Sequence, residues 1–134
     1  MRTILGGFRS QAISHDGGIT WTEPAQNQDL LEPVCQGSII RFSWPEEKSQ
    51  GRLLFSNPTD EKRRRNMTVH SSVDDGKTWK PFKTIFPQWS AYSCLTVLSG
   101  QEAGILFENG DEHSIERISF SRFQVNEPIA RIQE

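Results

Sequence analysis

The chain has 134 residues, 34% of them hydrophobic and 24% charged, which is the size and balance of one globular domain with a modest core. A formal net charge of -2, with the one dense charge run (Asp60 to Arg65) mixing both signs, argues against a nucleic-acid partner. No apolar run approaches the ~20 residues that span a bilayer as a helix, and Met1 to Gln11 lacks the apolar core of a signal peptide.

In chain order the punctuation is that of a β protein. Short β-branched or aromatic runs occur at SIIRFSW (38–44), RLLFS (52–56), MTVHSSV (67–73), CLTVL (94–98), AGILFE (103–108) and SIERISFSRFQV (114–125), separated by Gly, Pro, Asn and Asp. The last run predicts a strand with Ile115, Ile118, Phe120 and Phe123 as its apolar residues, with a register slip after Ile115. No capped 3.6-residue pattern of helical length is present, so the class expected is antiparallel all-β. Cys35 and Cys94 lie far apart with no CxxC and no histidine partner, which predicts two buried free thiols and no metal site. His15, His70 and His113 have no carboxylate or serine at a usable spacing and are expected at the surface.

One octet occurs twice. SHDGGITW (14–21) returns as SVDDGKTW (72–79), 58 residues further on, with Ser, Asp, Gly, Thr and Trp at the same offsets. A glycine (Gly18, Gly76) tolerates positive φ, an aspartate (Asp16, Asp74) can accept from nearby backbone N–H groups, and the Thr and Trp (Trp21, Trp79) begin the next strand. Each copy therefore predicts a self-locking turn, with its aspartate serving as scaffold. The offset is somewhat longer than the ~40 to 50 residues typical of a propeller blade, in which each copy of such a turn marks one four-stranded unit that cannot bury its own faces alone.

The octet resembles the Asp-box, or bacterial neuraminidase repeat. EPVCQGSIIRFS (32–43), LLFSNP (53–58) followed by RRNMTVHSSVDDGKTW (64–79), AYSCLTVL (91–98) and GILFENG (104–110) are similar, in the same order, to signatures of the C-terminal part of exo-α-sialidases. The resemblance covers essentially the whole chain. It implies that residues 1–134 are the C-terminal portion of a sialidase domain, a partial six-bladed β-propeller of about two to three blades of four-stranded antiparallel sheet.

The family's substrate, a terminal sialic acid, carries a carboxylate on its anomeric carbon and is gripped by three arginines. The resemblance places one of them at Arg64, with Arg63 and Arg65 as alternatives, and another at Arg2. Tyr92, the single tyrosine, matches the nucleophile. Glu108 matches the acid that steadies the first arginine, and Gln36 matches a polar residue of the pocket; the role of Glu32 stays open. One departure is Cys94, where the family usually has an aspartate after AYS. The first arginine, the Asp acid/base and the Glu that activates the tyrosine have no counterpart, so the chain is expected to be an inactive piece of a longer protein that self-associates through open edges. The implied activity is retaining hydrolysis of terminal sialic acid from glycans, without cofactor, in a parent protein that is secreted, periplasmic or lysosomal. The alternative is a non-catalytic propeller that binds carbohydrate or protein. The sequon NMT (66–68) falls in the Arg64 strand, where a glycan would block the pocket.

Overall fold

The computed structural model describes residues 7–47 and 50–125. Every regular element within them is a strand: β1 (Gly7–Gln11), β2 (Ala25–Glu32), β3 (Ser38–Ser43), β4 (Arg52–Pro58), β5 (Arg65–Ser72), β6 (Lys80–Ser99), β7 (Glu102–Gly110) and β8 (Arg117–Gln124). β1 and β2 pair as a two-stranded sheet, and β3 to β8 form a curled six-stranded sheet in chain order. All neighbours are antiparallel.

The 20-residue β6 is the pivot of this arrangement. Its first half pairs with β5 as far as Trp89, and its second half pairs with β7 from Trp89 to Ser99. Pro87 and Gln88 sit in a bulge opposite Asn66, where a residue without an N–H costs the ladder nothing. The main core lies on this curled sheet and includes Phe42, Leu54, Met67, Val69, Leu95, Ile105, Phe107 and Phe123. A second cluster of Leu30, Phe55 and Trp79 holds the β1–β2 sheet against β4, with Phe55 and Trp79 edge to face at 5.8 Å.

Both octets fold into the same turn. In the first, the Thr20 N–H and hydroxyl donate to the two oxygens of Asp16 at 2.9 and 2.6 Å, the Gly18 N–H donates to Ser14 Oγ at 2.7 Å, and Trp21 Nε1 donates to the Gly18 carbonyl at 3.1 Å. In the second, Thr78 bonds Asp74 at 3.0 and 2.6 Å, the Gly76 N–H reaches Ser72 Oγ at 2.9 Å, and Trp79 Nε1 reaches the Gly76 carbonyl at 3.1 Å. Gly18 and Gly76 both have positive φ, at 95° and 83°. Bonds led by the threonine hydroxyl hold each aspartate down to about 2. The turns differ in what covers them: Trp79 is 5% exposed and Trp21 63%. The second turn is also tied to the two-stranded sheet, through the Trp79 N–H to Asp29 Oδ2 at 2.9 Å and Gln11 Nε2 to the Gly76 carbonyl at 2.8 Å.

Several expectations need correction. β1, β2 and the first half of β6 are strands that the β-branched runs do not announce. β8 begins at Arg117, so Ile115 lies in a turn; Ile118 and Phe120 point outward while Phe123 is buried. His70 is buried rather than at the surface, because β5 is a central strand with both faces covered from Met67 to His70. Cys35 is buried as expected, but Cys94 is exposed, on the outward side of β6.

Candidate active site

Between β6 and β7 the ladder breaks. Ser90 pairs with Asn109 and Ser93 with Phe107, so Ala91 and Tyr92 together oppose the single residue Glu108. A bulge of this kind re-aims a side chain and leaves backbone groups unpaired. Tyr92 emerges 42% exposed between buried Ala91 and Ser93. Its backbone N–H donates to Glu108 Oε2 at 3.1 Å, so the residue facing the bulge repairs it. On the other edge of β6, past the point where β5 ends, the Ser93 N–H donates to Gln36 Oε1 and Gln36 Nε2 donates to the Ser93 carbonyl, both at 3.0 Å. The Leu95 N–H donates to Ser38 Oγ at 3.0 Å along the same edge, and the hydroxyls of Ser56 and Ser93 lie 2.8 Å apart.

Arg64 comes from the loop that enters β5. Its carbonyl accepts from the Ser90 N–H at 2.9 Å, which docks its backbone beside the bulge. Its Nη2 donates to the Val34 carbonyl at 3.2 Å, and its Cζ stands 5.8 Å from the centre of the Tyr92 ring, within cation–π range. Arg65 is committed to Asp60 at 2.7 Å and Arg63 is exposed, so of the three neighbouring arginines Arg64 is the one stacked at Tyr92. The Asn66 side-chain nitrogen donates to the Thr59 carbonyl at 3.2 Å, which draws it into the fold.

Val34 shapes the receiving side. A valine at φ 56° is unusual for a β-branched residue, and no sequence signal foretells it. Behind it Cys35 is fully buried, and burial pushes its thiol up against the pull of the Arg64 guanidinium, which keeps it un-ionised. Glu32, fully buried, pairs with Arg9 at 3.1 Å, and Arg9 in turn stacks over Phe55 at 5.2 Å. Arg9 and Ser93 escaped sequence reasoning, since nothing in an isolated arginine or serine marks it as buried.

Four expected residues, Gln36, Arg64, Tyr92 and Glu108, are thus drawn together from four stretches of chain. Arg2 lies outside the described residues. Asp16 and Asp74 are not in this group, each carboxylate being bonded inside its own turn. A separate cleft of about 840 Å³ between the β1–β2 sheet and β4, lined by Trp21, Leu30, Ile39, Leu53, Phe55 and Trp79 among others, includes none of the four.

No family model matches the chain. It is 37% identical over 119 residues to a sialidase of Bacteroides fragilis and 36% identical over 107 residues to a sialidase of Micromonospora viridifaciens, covering 84% and 78% of this chain. It spans 22% and 16% of the length of those two relatives. Among solved structures it resembles the intramolecular trans-sialidase of Ruminococcus gnavus, with a TM-score of 0.68 and 25% identity over 90% of this chain and 28% of that one. A sialidase from Streptococcus pneumoniae has a TM-score of 0.72 at 18% identity, covering 90% of this chain and 20% of that one. The curled sheet is therefore part of a β-propeller.

Proposed function

Because this chain belongs with the sialidases, we propose that it is the portion of an exo-α-sialidase propeller that supplies the tyrosine nucleophile and part of the arginine clamp. The observation that carries this reading is the Arg64 guanidinium stacked at the ring of a half-exposed tyrosine on a bulge. The substrate is a terminal sialic acid of a glycan. Its carboxylate sits on the anomeric carbon and would repel the carboxylate nucleophile that most retaining glycosidases use. A phenol is neutral until it attacks, so Tyr92 approaches the anion without Coulombic penalty, while Arg64, with Arg2, grips the carboxylate through paired charged hydrogen bonds.

In this reading Tyr92 Oη bonds to the anomeric carbon as the glycosidic C–O bond breaks and the leaving oxygen takes a proton from an acid. Water then displaces the tyrosyl oxygen, giving sialic acid with retained configuration and Tyr92 as a phenol again. Glu108 keeps the nucleophile's peptide in place and serves the first arginine of the clamp. That arginine, the acid and the base that receives the phenol proton belong to the length of the relatives that this chain does not span. Loss of any member of such a unit abolishes most of the rate. The test is a fluorogenic sialoside assay on the 134-residue chain alone and mixed with the upstream portion of a sialidase propeller. Cleavage that appears only in the mixture and vanishes with Tyr92→Phe supports the proposal. Cleavage by the chain alone that survives Tyr92→Phe overturns it.

A further inference from the structure

We infer that Gln36 is a positioning residue for Tyr92, its side-chain amide replacing the strand that β6 loses where β5 ends. The inference rests on the reading of Tyr92 as nucleophile for its catalytic meaning, but its geometry stands independently. β5 pairs with β6 only as far as Trp89. Beyond that point no strand among the described residues pairs with the same edge of β6, yet Ser93 and Leu95 are buried and cannot turn to water for their hydrogen bonds. A carboxamide carries one carbonyl and one NH2 group, the same donor and acceptor types as a peptide unit. Gln36 applies both to the two backbone groups of Ser93, each at 3.0 Å.

The consequence falls on the preceding residue. Tyr92 is the exposed residue of a two-against-one bulge, an element free to swing unless its flanks are fixed. Glu108 holds its N–H from the β7 side and Gln36 holds the next peptide from the opposite edge. The backbone that carries the phenol is thereby held from both sides of the strand. Cys94, where an aspartate is usual in sialidases, adds only a 3.9 Å contact from its sulfur to the Leu95 carbonyl, so the amide carries the restraint. With both ends engaged on Ser93, Gln36 acts on a substrate through Tyr92 rather than by touching it.

Tyr92 is the only tyrosine of the chain, so one isotope label on tyrosine reports this site alone. The experiment is NMR of the whole chain with ring-labelled tyrosine, together with amide hydrogen exchange, on the parent, Gln36→Ala and Gln36→Glu. In Gln36→Ala the Ser93 amide should exchange roughly tenfold faster or more, with the amides of the β4–β5 ladder unchanged, and the Tyr92 ring signal should shift or broaden. Gln36→Glu keeps an acceptor for the Ser93 N–H but has no donor for its carbonyl, so Ser93 should stay protected while the ring signal moves part of the way. A general loss of stability would raise exchange throughout the ladder instead. Parent-like Tyr92 and Ser93 signals in Gln36→Ala overturn the inference; if that variant does not fold, a parent-like ring signal in Gln36→Glu does so. Neither readout requires turnover, so a failure of the sialoside assay with these shifts present sinks the nucleophile and leaves the clamp standing.

Discussion

At the scale of single residues, the two octet aspartates make a close comparison, since both accept from the serine and threonine of their turn, Asp16 accepting one further bond from the Ile19 N–H at 3.1 Å, while the covering differs. Asp74→Ala strips acceptors from a turn whose Trp79 is part of the core and should cost roughly 1 to 3 kcal/mol, read as a lower urea midpoint. Asp16→Ala, in a turn open to water, should cost clearly less. His70 adds a pH dependence. Burial lowers its imidazole to about 4, against the partial opposing pull of Asp29, and neither ring nitrogen meets a hydrogen-bond partner among the described residues. The unfolded chain takes up this proton below about 6.5 and the folded chain only near 4, so stability falls as pH drops through that window, on the order of 3 kcal/mol in all. The octet aspartates, held down to about 2, contribute stability above their ordinary value of 3.8 that is lost as pH falls toward 2. Urea midpoints measured from pH 7 to pH 3 should therefore fall in two stages, and His70→Gln should remove the first. The octets were legible in the sequence because their bonds are local; the burial of His70 was not, because it depends on the strands laid over β5.

At the scale of elements, β3, β4, β5, β7 and β8 were legible because each carries a β-branched or aromatic run. The β2 strand, AQNQDLLE, reads as polar, and the first half of β6 contains Pro81 and Pro87, which argue against a strand until the bulge that houses Pro87 is seen. In β8 the parity of the apolar residues misled: Ile118 and Phe120 fall on the outward face and only Phe123 on the core side. The entry to β3 yields a prediction of its own. A Cβ on Gly37 would lie 2.6 Å from the Phe55 ring and 2.9 Å from the Ser56 carbonyl oxygen, and the second of these is backbone that cannot step aside. Gly37→Ala should thus destabilise the chain by roughly 1 to 3 kcal/mol by overpacking, seen as a lower urea midpoint with an unchanged slope. No sequence pattern marks that glycine as close-packed, since its φ is not in the left-handed region.

At the scale of the whole molecule, the outward side of β7 and β8 presents an apolar face among the described residues. Leu106 and Phe120 face each other across β7 and β8, and with Ile118 they are 49%, 52% and 72% exposed. Such a face favours association. The purified chain should show concentration-dependent self-association in sedimentation, and Leu106→Ser combined with Phe120→Ser should shift it toward monomer. The repeat and the ordered motifs made the propeller and the meeting of Arg64, Tyr92 and Glu108 legible, because a family's strand order survives in sequence. The amide clamp by Gln36 and the left-handed Val34 were not, because both arise where strands part company. The claim on which the rest depends is that Tyr92 takes the sugar. Trapping the glycosyl intermediate with a fluorinated sialosyl donor, in the chain complemented by the upstream portion of a sialidase propeller, followed by peptide mass mapping, addresses it directly. A sialyl adduct on the peptide containing Tyr92, absent from Tyr92→Phe, is the predicted result; cleavage of sialosides with no adduct on that tyrosine, or an adduct on another residue, would contradict it.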